Sequence, residues 1–391
     1  MNPSDTFFQE RLEHLRENDL YRKIRSLEML EGNLRRLDGK EVLLFCGNDY
    51  LGLSRHPRVV RAFQVAAGEY GVGSGAARLV AGGISVHEAL EKKIAAVKRK
   101  EKALLFSAGY LANLGAIAGL ATHDDVVIMD KLCHASLIDA ARLSGAQVRI
   151  FPHKNYERCE EILKLSGAFK KRVLVTDSVF SMDGDLADLK ELTRLKQTYD
   201  ALLIVDDAHA TGVLGKEGQG ACENWEDKID VITGTLSKAI GGLGGFMAAS
   251  EILVDYAVNH ARPFIFATSL PPALCAAALE ALYIIESEPE LRDRLWKNVG
   301  RMQQCLDKSG FEMTSGFPIF PVILGEEKIA LETSKTLMEG GILVPAIRYP
   351  TVAKGKARLR VTVNSLHREE DFSKFGRLLA SIKKRVFLDP V

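Results

Sequence analysis

The chain has 391 residues, 47% hydrophobic and 26% charged, with 52 Lys and Arg against 51 Asp and Glu. At about 150 residues per domain this is the composition of an ordinary globular protein with two lobes, not a disordered or fibrous one. A formal net charge of +1 leaves no electrostatic footprint for nucleic acid or an anionic membrane, and the six cysteines (Cys46, Cys133, Cys159, Cys222, Cys275, Cys305) contain no C-x-x-C pair, so a reducing compartment fits best.

In chain order, the N-terminus shows no basic-then-apolar signal pattern, and Asp5, Glu10, Glu13 and Glu17 argue against a transit peptide, so a cytoplasmic location is the expectation. Over residues 5 to 40, charge is dense and Phe7, Phe8, Leu12, Leu15 and Leu20 recur at roughly helical spacing, which predicts an amphipathic arm packed on something else. Residues 1–58 are read as this arm and the start of a small lobe. From residue 59 to 250, helix-period segments alternate with short apolar runs at 103–106, 126–129, 147–151, 173–176, 201–205, 231–233 and 246–249. Continuous apolar strands between helices predict a mostly parallel sheet covered on both faces, here assigned to a large domain at 59–285. One stretch, 103–123, carries no Asp, Glu, Lys or Arg, yet it holds Ser107, Gly109, Asn113, Gly115, Gly119 and Thr122. It reads as a strand, a turn and a buried helix rather than a membrane span. Glu286-Ser287-Glu288-Pro289-Glu290 then breaks the pattern, and strands return at 319–324 and 359–363, which predicts a smaller α+β domain at 286–391.

Ligands of open α/β sheets sit beyond the carboxyl ends of the strands, so the residues after each run are the candidates. The run 201–205 ends in Asp206-Asp207-Ala208-His209, where a carboxylate can hold a cationic ring nitrogen and an imidazole can reach another atom of the same ring; paired acids also serve as metal ligands or structural networks. The run 231–233 leads to Gly234-Thr235-Leu236-Ser237-Lys238. A lysine set beside hydroxyls and glycines can lose its proton and form a Schiff base, with Thr235 and Ser237 as phosphate donors. Ser107-Ala108-Gly109-Tyr110 runs from a strand into an apolar helix, whose N-terminus is a ready phosphate site. His134, after the run 126–129, has a role beyond hydrogen bonding only if a flat aromatic ligand lies beside it. Together these describe a pyridoxal 5′-phosphate pocket. No metal site is assigned, because no His/Cys cluster has zinc spacing.

Over nearly its whole length the sequence resembles the α-oxoamine synthases, enzymes of fold type I that use pyridoxal phosphate to condense an amino acid with an acyl-CoA thioester. The family's Asn-Asp-Tyr-Leu-Gly stands at Asn48 to Gly52, its Val-Phe-Ser-Met-Asp-Gly-Asp at Val179 to Asp185, and its Ala-Arg-Leu-Arg at Ala357 to Arg360. The resemblance implies an α/β, aspartate-aminotransferase-like fold and a homodimer. It makes Lys238 the Schiff-base lysine, Asp206 the partner of the ring nitrogen, His209 and Ser181 neighbours of the phenolic oxygen, and His134 the stacked ring. Gly109, Tyr110 and Thr235 would hold the phosphate, with Thr268 reaching the partner subunit's phosphate. Arg360 would meet the substrate carboxylate, and Arg22, Asn48 and Thr351 would help bind substrate.

Three stretches, Gly73 to Val80, Phe266 to Pro272 and Ala346 to Val352, are similar to members that join L-alanine to a pimeloyl group on CoA or a carrier protein, more than to the glycine-using acetyltransferases. Asp177 stands where the family usually has Glu, and Tyr349 where proline is common. Two other readings stay open: a nucleotide-dependent oxidoreductase, because Gly71 to Ala76 matches G-x-G-x-x-A although a helix rather than a strand is expected before it, and a non-catalytic partner subunit, against which Lys238 argues.

Overall fold

The computed structural model describes residues 3–311 and 316–383. The chain divides into two compact units, one of Asn48–Ser181 and Asp185–Asp293 and one of Met1–Gly47, Met182–Gly184 and Arg294–Val391.

In the larger unit the apolar runs become the strands Lys102–Phe106, Val126–Asp130, Gln147–Phe151, Arg172–Asp177, Ala201–Asp206, Val231–Thr235 and Gly245–Ala249. They form a seven-stranded sheet in the spatial order 102–106, 245–249, 231–235, 201–206, 172–177, 126–130, 147–151. Gly245–Ala249 runs against both of its neighbours, and the remaining pairs are parallel. The runs are apolar throughout because both faces are covered. Val127, Met129, Val175 and Ile204 pack on one side with Ala112, Ala116 and Ile117 of the helix Gly109–Leu120. Val126, Ile128, Leu203 and Val205 pack on the other with Ile162 and Leu163 of Tyr156–Lys164 and Leu192 and Leu195 of Leu189–Thr198. Gly109–Leu120 is thus apolar apart from Tyr110 and Asn113 because most of it is core, and no helix of the described residues is long and apolar enough to cross a membrane. The helix Pro57–Tyr70 precedes Gly71 to Ala76, so no strand feeds that glycine stretch and it forms no dinucleotide fingerprint.

The smaller unit holds a three-stranded antiparallel sheet, Ile319–Gly325, Ala357–Thr362 and Ala346–Ile347. It also holds a four-stranded sheet of Glu28–Met29, Leu34–Leu37, Lys40–Leu44 and Ile342–Leu343. The N-terminal arm differs from the expectation. Its helix covers only Pro3–Glu17, and Leu20 lies beyond it. Residues 28–44 form strands instead, because Asp38 and Gly39, at φ 50° and 76°, make the left-handed two-residue turn that hairpins favour. Phe7 and Phe8 remain more than half exposed.

Candidate active site

A cavity of about 230 Å³ opens where the strands Val126–Asp130, Ala201–Asp206 and Val231–Thr235 end and the helix Gly109–Leu120 begins. Its lining includes Gly109, Tyr110, His134, Asp206, His209, Thr235 and Lys238. These are residues that sequence reasoning singled out, delivered to one place because parallel strands end at the same edge of the sheet.

Asp206 is buried and held in a fixed orientation. Its Oδ1 accepts from the backbone N–H of Ala208 at 2.8 Å, and its Oδ2 accepts from Asn113 Nδ2 at 2.6 Å. His209 Nδ1 lies 2.8 Å from the hydroxyl of Tyr50, whose ring is fully buried. His134 is the N-cap of the helix Ala135–Leu143. Its backbone N–H donates to Asp177 Oδ2 at 2.8 Å. Burial, opposed by the Asp206 carboxylate and reinforced by the Lys238 ammonium, pushes the His134 imidazole below its usual value. Burial and the neighbouring Asp206 carboxylate likewise push the Asp177 carboxyl well above the ordinary range.

The Thr235 hydroxyl donates to the carbonyl of Gly244 at 2.9 Å and lies 2.8 Å from Ser237 Oγ. A side chain at Gly109 would bring its Cβ within 2.9 Å of Thr235 Cβ, so only glycine leaves this corner open. Helix-start N–H groups at such an opening are suited to an anion such as phosphate. The Tyr110 hydroxyl donates to Asp139, so that side chain is committed away from this corner.

Asp207, next to Asp206, does not line this cavity. Its Oδ2 accepts from Lys98 Nζ at 2.7 Å and its Oδ1 from Ser178 Oγ at 2.7 Å, both in the core. Ser181 and Asn48 are half-buried and outside the cavity lining; the Tyr50 hydroxyl lies 3.5 Å from Asn48 Oδ1. Thr268 is exposed, bridges to Ala77 and is also outside the lining. Arg22, Thr351 and Arg360 belong to the smaller unit. There Arg22 donates to the carbonyl of Tyr349 at 3.2 Å, the Thr351 N–H donates to the carbonyl of Arg348 at 3.0 Å, and Arg360 is buried in Ala357–Thr362.

Sequence reasoning gave no role to Tyr50, Asn113 or Ser136. Tyr50 lay inside a motif quoted for other reasons, and Asn113 had a signal in being the lone amide of an apolar helix.

A mostly parallel seven-stranded sheet with a lysine, a fixed carboxylate and two imidazoles in one cavity at its strand ends is the arrangement of a fold-type I enzyme. Residues 40–375 match the family of class I and II aminotransferases, and the chain belongs to that family. It is 44% identical over 384 residues to 8-amino-7-oxononanoate synthase of Citrifermentans bemidjiense, covering 97% of this chain and 98% of that enzyme. It is 40% identical over 368 residues to 8-amino-7-oxononanoate synthase 1 of Bacillus subtilis, covering 93% of this chain and 94% of that one. These relatives place it in the 8-amino-7-oxononanoate synthase branch. Among solved structures, serine palmitoyltransferase of Sphingomonas wittichii superposes with a TM-score of 0.92 at 28% identity, covering 100% of this chain and 99% of that one. The 8-amino-7-oxononanoate synthase of Francisella tularensis superposes with a TM-score of 0.76 at 29% identity, covering 88% and 98%. The cofactor of this class is pyridoxal 5′-phosphate. The residues present fit it: an amine, a buried carboxylate with both oxygens already oriented, and a corner that any Cβ at Gly109 would fill.

Proposed function

We propose that the protein catalyses the decarboxylative condensation of L-alanine with a pimeloyl thioester, carried on CoA or a carrier protein. The products are 8-amino-7-oxononanoate, carbon dioxide and free thiol, a step of biotin biosynthesis. The observation that supports this reading is that Lys238, Asp206, His209 and His134 line one cavity.

When bound, pyridoxal 5′-phosphate supplies a carbonyl carbon that links to amines and a ring that accepts electrons. Lys238 would hold it through a neutral Nζ and, once exchanged for the amine of alanine, take the proton from the alanine Cα as general base. Asp206 would keep a proton on the ring nitrogen through a charge-assisted hydrogen bond in a site of low dielectric, where such a contact is worth more than in water. His134 would stack on the ring, and His209, steadied by Tyr50, would serve the phenolic oxygen with Ser181. The N–H groups at Gly109 and Tyr110 would bind the phosphate, with the Thr235 hydroxyl turning its proton from the Gly244 carbonyl to join them and Thr268 of a second copy completing the set. In the smaller unit, Arg360 is assigned the alanine carboxylate, held bidentately until it leaves as carbon dioxide. Arg22, Asn48 and Thr351 are assigned the remaining substrate contacts. The working assembly is a homodimer, and the location cytoplasmic.

The test is thiol release from cofactor-loaded protein given pimeloyl-CoA or acetyl-CoA, each with L-alanine, glycine or L-serine. Release confined to pimeloyl-CoA with alanine is expected. Release with acetyl-CoA and glycine would refute the substrate assignment.

A further inference from the structure

We propose that Asn113 is a positioning residue of this reaction: its amide ties the Asp206 carboxylate and the His134 imidazole into one hydrogen-bonded chain and fixes that imidazole as the neutral tautomer protonated at Nε2. The proposal rests on the roles given above to Asp206 and His134.

The helix Gly109–Leu120 is otherwise apolar, so a buried amide within it must find all its partners inside the protein. Asn113 does so. Its Nδ2 donates to Asp206 Oδ2 at 2.6 Å and to Ser136 Oγ at 2.8 Å, and its Oδ1 accepts from Thr233 Oγ1 at 2.6 Å. An ionised carboxylate only accepts, so the amide edge facing Asp206 is the nitrogen, and the chemistry settles the orientation of the side chain. Ser136 Oγ lies 2.7 Å from His134 Nδ1, and because that nitrogen already accepts from a backbone N–H, the hydroxyl is the donor of this contact. The backbone N–H of Ser136 donates to that same nitrogen at 3.3 Å. Two donors on Nδ1 leave it no proton, and the imidazole carries its hydrogen on Nε2.

The charged and titratable groups around His134 are Asp206, Lys238 and Asp139 through space, Asp177 on its backbone N–H, and Tyr110 with its ring centroid 6.5 Å away. A neutral imidazole here has a consequence for the chemistry. A cation lying against the cofactor ring would repel a proton on the ring nitrogen and weaken the hold of Asp206 on it, whereas a neutral ring does neither. Asn113 therefore acts at both groups, and Ser136 at one only.

Two readouts on the cofactor-loaded enzyme separate them: 15N signals of the His134 ring, assigned by their loss in His134→Asn, and the pH dependence of the visible cofactor band. The unmodified enzyme is expected to show the neutral Nε2–H tautomer at about pH 7.5. Ser136→Ala should shift the imidazole signals and leave the cofactor band unchanged. Asn113→Leu should move both, and lower kcat about 10- to 100-fold, the worth of a hydrogen bond to a charged group, with KM for the thioester little changed. A cationic or Nδ1-protonated His134 in the unmodified enzyme, or Asn113→Leu leaving both readouts in place, would overturn the proposal. Should Asn113→Leu not fold, Asn113→Ser takes its place, with both readouts expected to move and both unchanged overturning the proposal. Failure of the alanine and pimeloyl-CoA assay would strike the substrate assignment and leave these spectra untouched.

Discussion

Removing the Lys98 ammonium should be among the most damaging single changes in the larger unit. Lys98 closes the helix Ser85–Lys98, and its side chain and that of Asp207 are 1% and 0% exposed. Nζ donates to Asp207 Oδ2 at 2.7 Å, Thr211 Oγ1 at 2.7 Å and the carbonyl of Gln219, which uses its full set of protons. Asp207 is enclosed on its other side by Ser178 Oγ and the Ala221 N–H. Gly220 is glycine for the same reason: at φ 109° its missing Cβ would lie 1.7 Å from Asp207 Oδ2. Lys98→Met keeps the stem and strands a buried carboxylate, and breaking a buried pair in this way costs about 3–5 kcal/mol. Asp207→Asn should cost about as much alone, whereas the double variant removes both charges and should cost well below the sum of the singles. The assay is urea unfolding followed by two probes, so that a non-two-state transition is detected. The reasoning fails if Lys98→Met costs under about 1 kcal/mol, or if the two substitutions add within about 0.5 kcal/mol.

His367 gives a pH prediction in the smaller unit. Burial pushes its imidazole down to about 4, against hydrogen bonds to the Leu44 carbonyl and the Asn364 N–H. The unfolded chain therefore takes up this proton near the ordinary value while the folded chain resists it. Stability should be full above about pH 6.5 and fall as pH drops toward 4, by about 3 kcal/mol in all. His367→Gln should remove that part of the slope, seen as the difference between the two proteins in thermal midpoint against pH; parallel curves would sink the idea. At the proposed phosphate site, Gly109→Ala sets a methyl 2.9 Å from Thr235 Cβ. The overpacking cost of about 1–3 kcal/mol should lower the thermal midpoint of the cofactor-free protein, and the methyl, by filling the corner, should also weaken cofactor affinity about tenfold or more in an absorbance titration. Equal affinity would mean that the corner does not bind the cofactor.

What the sequence made legible follows from what burial does to composition. The strands of the large sheet are apolar on both faces, so each stood out as a run, and their ends pointed to Asp206, Lys238 and His134. The hairpin at 34–44 was missed although Asp38-Gly39 is the turn signal for it, because the charged alternation around it continues the character of the preceding helix. Asn113, Ser136 and Tyr50 were missed for another reason. Their part is to hold other side chains, and the contacts that define it join residues 23, 93 and 159 positions apart in the chain.

Asp206 and Asp207 show how far an adjacent pair can be parted by geometry alone. Successive side chains of a strand point to opposite faces. Leu202 and Ile204 pack on the face covered by Gly109–Leu120, and Leu203 and Val205 on the other. Continuing that alternation sends Asp206 toward Asn113 on the first helix layer, while Asp207 goes to Ser178 and Ala221 on the opposite side. Two identical carboxylates thus acquire different partners: one meets an amide at the rim of a cavity, the other an ammonium sealed in the core. The sealed pair anchors the turn that carries Ala208 and His209, through Thr211 and the Gln219 carbonyl. The orientation of the open carboxylate therefore depends on the burial of its neighbour. A one-residue register slip in one direction would set Ala208 against the Lys98 ammonium and leave it unpaired in the core, and in the other would set Val205 where Asn113 meets a carboxylate, which is why this strand end tolerates one register only.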